Sequence, residues 1–138
     1  MRWSLYISLI IISAFAIFSC VNNQKTVVGK ENSVNMESLS ANLAGIYSGN
    51  LPCVDCDAIS TVLELHNDKS YVLRYSYEGK SSDQFVKEGS WSIDRNVLSL
   101  EGVDYKYKIN NENLVQLDLT GNDIKGDLAE KYQLERIN

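Results

Sequence analysis

Proline is nearly absent from this 138-residue chain, with Pro52 alone, so extended segments run on without the residue that most often interrupts a strand. Histidine is equally scarce, and the single His66 excludes any site that needs two imidazoles. Positive charge is in deficit: 13 Lys and Arg stand against 18 Asp and Glu, for a net charge of -5. The basic residues are scattered, so a surface built to neutralise phosphates has no support and no nucleic-acid partner is expected. No phosphate-cradling glycine loop and no nucleophile elbow occurs. Glu64, Asp94, Glu101 and Asp118 fall on solvent-facing phases or at turn edges, and nothing pairs them as acid and base. No catalytic site is expected. Cysteine is rare and odd in number, with Cys20, Cys53 and Cys56.

Charged residues at 22%, hydrophobic residues at 44% and aromatics at 9% argue against wholesale disorder, and the length suits one domain. The longest apolar run, residues 5–18, follows Arg2 and ends at the small Ser19. It is shorter than the roughly 20 residues that span a bilayer, and its charge, apolar stretch and small residue are the layout of a signal peptide over residues 1–19. Ile17-Phe18-Ser19-Cys20 resembles the lipobox of bacterial lipoproteins, with Ile17 and Phe18 where that motif prefers leucine and a small residue. The resemblance implies that Cys20 carries acyl chains of the palmitate type and becomes the new N-terminus. More than one acyl chain gives stable attachment, at about 0.8 kcal/mol per buried methylene. The expected partner is then a membrane, reached through lipid rather than through a spanning helix.

Residues 20–43 read as a lipidated flexible tether, rich in Asn, Ser, Gln and Lys and without an aromatic residue. A coil of that length spans roughly 25 Å, enough to hold a small domain clear of the headgroups. From residue 44 to 138 the apolar period is two, and turn residues recur every 8 to 12 positions or so. Strands are expected over residues 44–49, 59–66, 71–77, 84–94, 97–101, 105–110, 114–119 and 131–136. Short polar connections make consecutive hairpins, and an eight-stranded antiparallel meander removes its edges by closing into a barrel. Such an interior is either filled by side chains or holds one small ligand. The inward tyrosines and Trp91 read as lining and core, and His66 as an exposed residue at a strand end. Two longer connections, residues 51–58 and 120–130, are the places for function.

The first connection holds Cys53 and Cys56 in Cys-x-x-Cys spacing, which brings two sulfurs to one point. A thioredoxin-type centre needs a helix in a βαβ setting that this sequence lacks. Zinc would need four ligands, reached only by recruiting Asp55 and Asp57. Monovalent copper accepts two thiolates. A local disulfide pinning the loop is the competing reading in an oxidising compartment, and the two can be the oxidised and reduced states of one site.

Gly45-Ile46-Tyr47-Ser48-Gly49 leading into Leu51-Pro52-Cys53-Val54-Asp55-Cys56, followed by Thr61, Leu63, Leu65, Tyr71 and Leu73, resembles the N-terminal domain of the copper-resistance lipoprotein NlpE family. Phe85, Gly89 and Trp91, then Leu117-Asp118 before Gly121, and Tyr132 with Leu134 continue the likeness. The resemblance implies a lipocalin-like barrel, lipid-anchored in the outer membrane and facing the periplasm. It also implies a part in copper tolerance and in envelope-stress sensing upstream of a two-component pathway. Cys20 carries over as the lipid site, and Cys53 with Cys56 as the thiol pair. Longer family members add a second, OB-like domain, which 138 residues do not accommodate. The function expected is a binding or sensing module for Cu(I) or envelope redox state, with no cofactor required. The alternatives are a carrier of a small apolar ligand, or a docking surface for an envelope protein partner.

Overall fold

The computed structural model describes residues 38, 39 and 41–138. The expected signal peptide, the lipid site Cys20 and most of the tether lie outside those residues. Eight strands follow in chain order: β1 (Gly45–Leu51), β2 (Ala58–Leu65), β3 (Ser70–Glu78), β4 (Gln84–Asp94), β5 (Val97–Leu100), β6 (Lys106–Asn110), β7 (Asn113–Gln116) and β8 (Gln133–Arg136). Each pairs antiparallel with the next, and β8 returns to β1 through Tyr47 opposite Arg136 and Ser48 opposite Glu135. The expected closed meander is the observed one. Close approach of β1 to β8 depends on Gly49, where a Cβ would stand 2.4 Å from the Gln133 carbonyl oxygen.

The period-two pattern does its work along β2 and β3. Leu63, Leu65, Tyr71 and Leu73 point inward and are buried, while Glu64 and Arg74 on the other phase form an ion pair outside. Tyr47, Leu51, Trp91, Leu98, Leu100, Tyr107, Leu114 and Leu134 join them in the core. Burying side chains of this kind contributes roughly 1.5–3 kcal/mol each. Trp91 is 2% exposed, with Lys69 Nζ 4.1 Å from its ring centroid. It is the core residue its phase predicts.

Strand ends differ from the expectation where side chains capture the backbone. The seventh strand stops at Gln116 rather than residue 119, because Asp118 accepts hydrogen bonds from the Thr120 and Asn122 amides and turns the chain. The eighth starts at Gln133 rather than residue 131, because Ala129–Lys131 form a 3-10 turn.

A larger difference lies at the start of the domain. Leu43, the last residue of the stretch read as tether, is 4% exposed and belongs to the core, and Leu39 packs against it. Its carbonyl accepts the Tyr47 hydroxyl at 2.9 Å, while Arg136 donates to the Asn42 and Ala44 carbonyls at 2.8 and 2.7 Å. Residues 41–43 are helical, and Leu43 with Leu39 plugs this end of the barrel. Two leucines in a polar stretch set no period, so the pattern gives no sign of it.

The opposite end is built differently. Inward residues lose burial toward it: Leu65 and Leu63 are buried but Ile59 is only half-buried, and Tyr71 and Leu73 are buried but Tyr75 and Tyr77 are not. Strand β4 contributes to this, since Gln84–Gly89 pairs with β3 alone and the β5 register takes up only Trp91–Asp94. The barrel is packed at the end where the chain enters and looser at the end that carries the β1–β2 loop.

Candidate functional site

The β1–β2 loop begins where β1 ends at Leu51, and Pro52 turns the chain out of the sheet. Cys53 and Cys56 form a disulfide with their Cα atoms 5.4 Å apart, within the span such bonds require. Of the readings left open by the Cys-x-x-Cys spacing, the structure holds the oxidised one. Val54 at the tip is fully exposed. Asp55 Oδ1 lies 3.7 Å from Cys53 Sγ, and the Ala58 carbonyl oxygen 3.4 Å from Cys56 Sγ.

Two contacts tie this loop to the β3–β4 turn. Lys80 pairs with the Asp55 carboxylate, and its hydrogen bond and charge hold that carboxyl below the ordinary carboxylate range. The Asp57 amide donates to the Glu78 carbonyl at 2.9 Å. Gly79 permits the close approach, since a Cβ there would meet the Asp57 carboxylate at 2.3 Å. The Asp57 carboxylate therefore faces the turn, and the four-ligand zinc set that would recruit both Asp55 and Asp57 is not assembled.

What does assemble is a three-member group: one sulfur each from Cys53 and Cys56 and one carboxylate oxygen of Asp55, all within 4.8 Å of one another. A disulfide sulfur is a poor ligand, so the group has little claim on a metal while the bond is closed. Opened to two thiols, it offers a pair of soft donors beside a carboxylate, a donor set suited to Cu(I) and short of the four that structural zinc requires.

Beneath the loop the barrel keeps a cavity of ≈ 80 Å³. Leu51 and Pro52 form its rim on the disulfide side, Leu73 and Tyr107 lie deeper, and Tyr75, Tyr77, Tyr105 and Tyr132 contribute phenol rings. Tyr75 and Tyr77 meet edge to face at 5.9 Å, and Phe85 stacks on Tyr75 at 5.3 Å. Burial raises the phenol pKa of both Tyr105 and Tyr107, and no acidic or basic residue lines the wall. The sequence identifies Tyr75, Tyr77, Tyr105 and Tyr107 as inward residues through their alternation along β3 and into β6. That they leave space, and that Tyr132 from an irregular segment joins them, has no local signature.

The second long connection also lies at this end. Its order comes from Asp118, held below the usual range by the amide of Asn122 and the hydroxyl of Thr120, and from the Lys108–Asp123 pair. Leu119 and Leu128 are exposed on it.

His66 lies at the opposite end, in the β2–β3 turn. Its Nδ1 is 2.8 Å from Ser70 Oγ, which is 2.6 Å from Asp68 Oδ1, while Glu64 Oε2 is 3.7 Å from its Nε2. Asp68 also accepts the Ser70 amide at 2.9 Å, so the carboxylate binds the serine and not the imidazole. That is a turn held by its own side chains, and His66 is exposed as expected.

Comparison with known proteins accords with this arrangement. The family model of the NlpE N-terminal domain matches residues 47–127, which include the disulfide loop. Lipoprotein NlpE of Escherichia coli (strain K12) is 29% identical over 137 residues, covering 91% of this chain and 56% of the relative. The chain thus spans about half the length of that curated relative. The crystal structure of a Shewanella oneidensis protein matches with a TM-score of 0.64 at 37% identity, over 70% of this chain and 90% of that one. The crystal structure of the Cpx pathway activator NlpE from Escherichia coli matches with a TM-score of 0.55 at 29% identity, over 61% of this chain and 46% of that one.

Proposed function

Because this chain belongs to the NlpE family, we propose that it is a lipid-anchored module of the bacterial cell envelope that binds Cu(I) or registers redox state through Cys53 and Cys56. The observation that carries the reading is the convergence of both sulfurs and the Asp55 carboxylate on an exposed loop. In the oxidised state the loop is a closed bridge. Reduction gives two thiols three residues apart, which after losing their protons bind a soft monovalent ion.

The rest of the proposal concerns where this happens. Cys20 would carry the lipid once residues 1–19 are removed, and the anchor would sit in the outer membrane with the barrel toward the periplasm. The chain enters the barrel at the plugged end, so the disulfide loop lies at the end opposite the tether. The Escherichia coli relative is described as an activator of the Cpx pathway. By kinship this chain would serve envelope-stress sensing too, with an envelope protein as its partner. Exposed Val54, Leu119 and Leu128 on the loops at the disulfide end support a contact surface there.

The test is growth in graded copper of cells whose own copy is replaced by the wild type, Cys53→Ser, Cys56→Ser or Cys20→Ala, with protein levels matched. Lower tolerance in both serine variants and in the unanchored one is the expected result. Tolerance equal to wild type in both serine variants removes the cysteine pair from the function.

A second reading has its own support. The tyrosine-lined cavity favours a carrier of a small apolar ligand, with the disulfide as a structural clasp.

A further inference from the structure

The cavity and the disulfide share one wall. Leu51 and Pro52 line the cavity, and Cys53 follows them directly in the chain. On the other side Tyr77 lines it, and the Tyr77 carbonyl accepts the Lys80 and Ser81 amides at 3.3 and 3.2 Å, forming the turn whose Lys80 side chain grips Asp55. The rim is therefore two loops laced together, one of them closed by the Cys53–Cys56 bond.

Size and chemistry define what fits. At ≈ 80 Å³ the cavity suits a few waters or a single ring better than an extended acyl chain. None of the lining residues is charged, which disfavours an ionic ligand that would leave its hydration behind. The phenol rings offer flat apolar faces with polar edges, the setting in which a ring stacks while its hydroxyl finds a partner. The wall also contains a buried acceptor, Gln116 Oε1, that no group among the described residues satisfies.

We propose that this cavity binds one small neutral ring compound bearing a hydroxyl group, and that its occupancy is linked to the thiol–disulfide state of Cys53 and Cys56 through Pro52. The inference rests on the carrier reading above and deepens it by naming the ligand class and its control. With the bond closed, Pro52 is held at the rim. With the bond open, the loop loses its covalent clasp and the wall loosens. Linkage is reciprocal: if reduction weakens binding by some factor, bound ligand disfavours reduction by the same factor.

Reduction by a dithiol reagent balances simply. A reagent thiolate attacks one cysteine sulfur, the Cys53–Cys56 bond breaks, and the mixed disulfide is resolved by the reagent's second sulfur. Cys53 and Cys56 gain two electrons and two protons, and the reagent closes to its own cyclic disulfide.

The test uses the full chain in detergent micelles, titrated with p-cresol and, separately, with a fluorescent long-chain fatty acid. Amide NMR shifts at Thr61 and Tyr77 report occupancy of the cavity rather than partition into the micelle. Saturable one-to-one shifts with p-cresol, weakened about fivefold or more on reduction, are expected. Ile59→Trp, which fills the rim, should abolish them with the rest of the amide spectrum unchanged; if that variant does not fold, the redox comparison on the wild type decides alone. Saturation by the fatty acid but not by p-cresol overturns the ligand class and leaves the carrier reading standing. Saturation by neither overturns both. Equal p-cresol affinity in the two redox states overturns the linkage.

Discussion

Lys80 in the β3–β4 turn pairs with Asp55 in the disulfide loop across 25 residues of sequence. Both side chains are more than half exposed, so the pair adds little to stability, and its effect is on where the loop rests. Lys80→Ala should therefore lower the thermal midpoint by no more than a few degrees while raising the rate of disulfide reduction by a dithiol. A large fall in the midpoint with an unchanged reduction rate would show that the pair supports the fold rather than guarding the bond.

The disulfide itself closes a loop of only four residues. The chain-entropy model assigns such a bridge about 2 kcal/mol, against nearly 5 for a hundred-residue loop. Cys53→Ser with Cys56→Ser should thus lower the free energy of unfolding by about 2 kcal/mol, read from chemical denaturation, and leave the barrel intact. Failure of the double variant to fold would mean that the bond has a structural role its position does not suggest.

Gly89 is a position of a different kind, where packing tolerates no side chain. A Cβ there would come within 2.8 Å of the Glu101 carbonyl oxygen and 2.9 Å of the Tyr71 ring, and the Tyr71 hydroxyl donates to that same carbonyl at 2.7 Å. Gly89→Ala should cost about 1–3 kcal/mol of stability. Tyr71→Phe, which removes only the hydrogen bond, should cost about 1 kcal/mol, and the two effects should not add because they act on one contact.

Alkaline stability follows from the buried phenols. Burial raises the Tyr107 phenol above its ordinary 10.0 in the folded barrel, so the folded state keeps a proton that the unfolded chain releases. Its contribution is complete below about pH 10 and is lost as pH rises through the folded value, at about 1.4 kcal/mol per pH unit. Tyr47, Tyr71 and Tyr105 shift in the same direction. Thermal midpoints followed by circular dichroism should be level near neutrality and fall above about pH 10, with a shallower fall in Tyr107→Phe. An unchanged slope in that variant would show that Tyr107 does not set the alkaline limit.

Much of the fold is legible because most of the strands are buried on one side. The alternation of Tyr71 and Leu73 with Val72 and Arg74, or of Tyr107 and Ile109 with Lys108, records which side, and short polar turns leave consecutive strands no partner but each other. The plug at Leu39 and Leu43 is not legible, because it is set by contacts with Tyr47 and Arg136 that no local period encodes. In the site, the spacing of Cys53 and Cys56 marks the loop but cannot choose the oxidation state, which depends on compartment as well as geometry. The cavity is the least visible feature of all: the same inward tyrosines would serve a filled interior, and only the loss of burial between Leu73 and Tyr75 shows that packing stops short of the rim.

The central claim is that Cys53 and Cys56 form one reversible site. Native mass spectrometry of the full chain, recorded before and after a dithiol reductant and again with added Cu(I), tests it most directly. The account predicts a closed disulfide that takes no copper, then a gain of two hydrogens, then one copper ion per chain that Cys53→Ser and Cys56→Ser each prevent. A reduced chain that takes no copper, or that takes it equally in both serine variants, would contradict it.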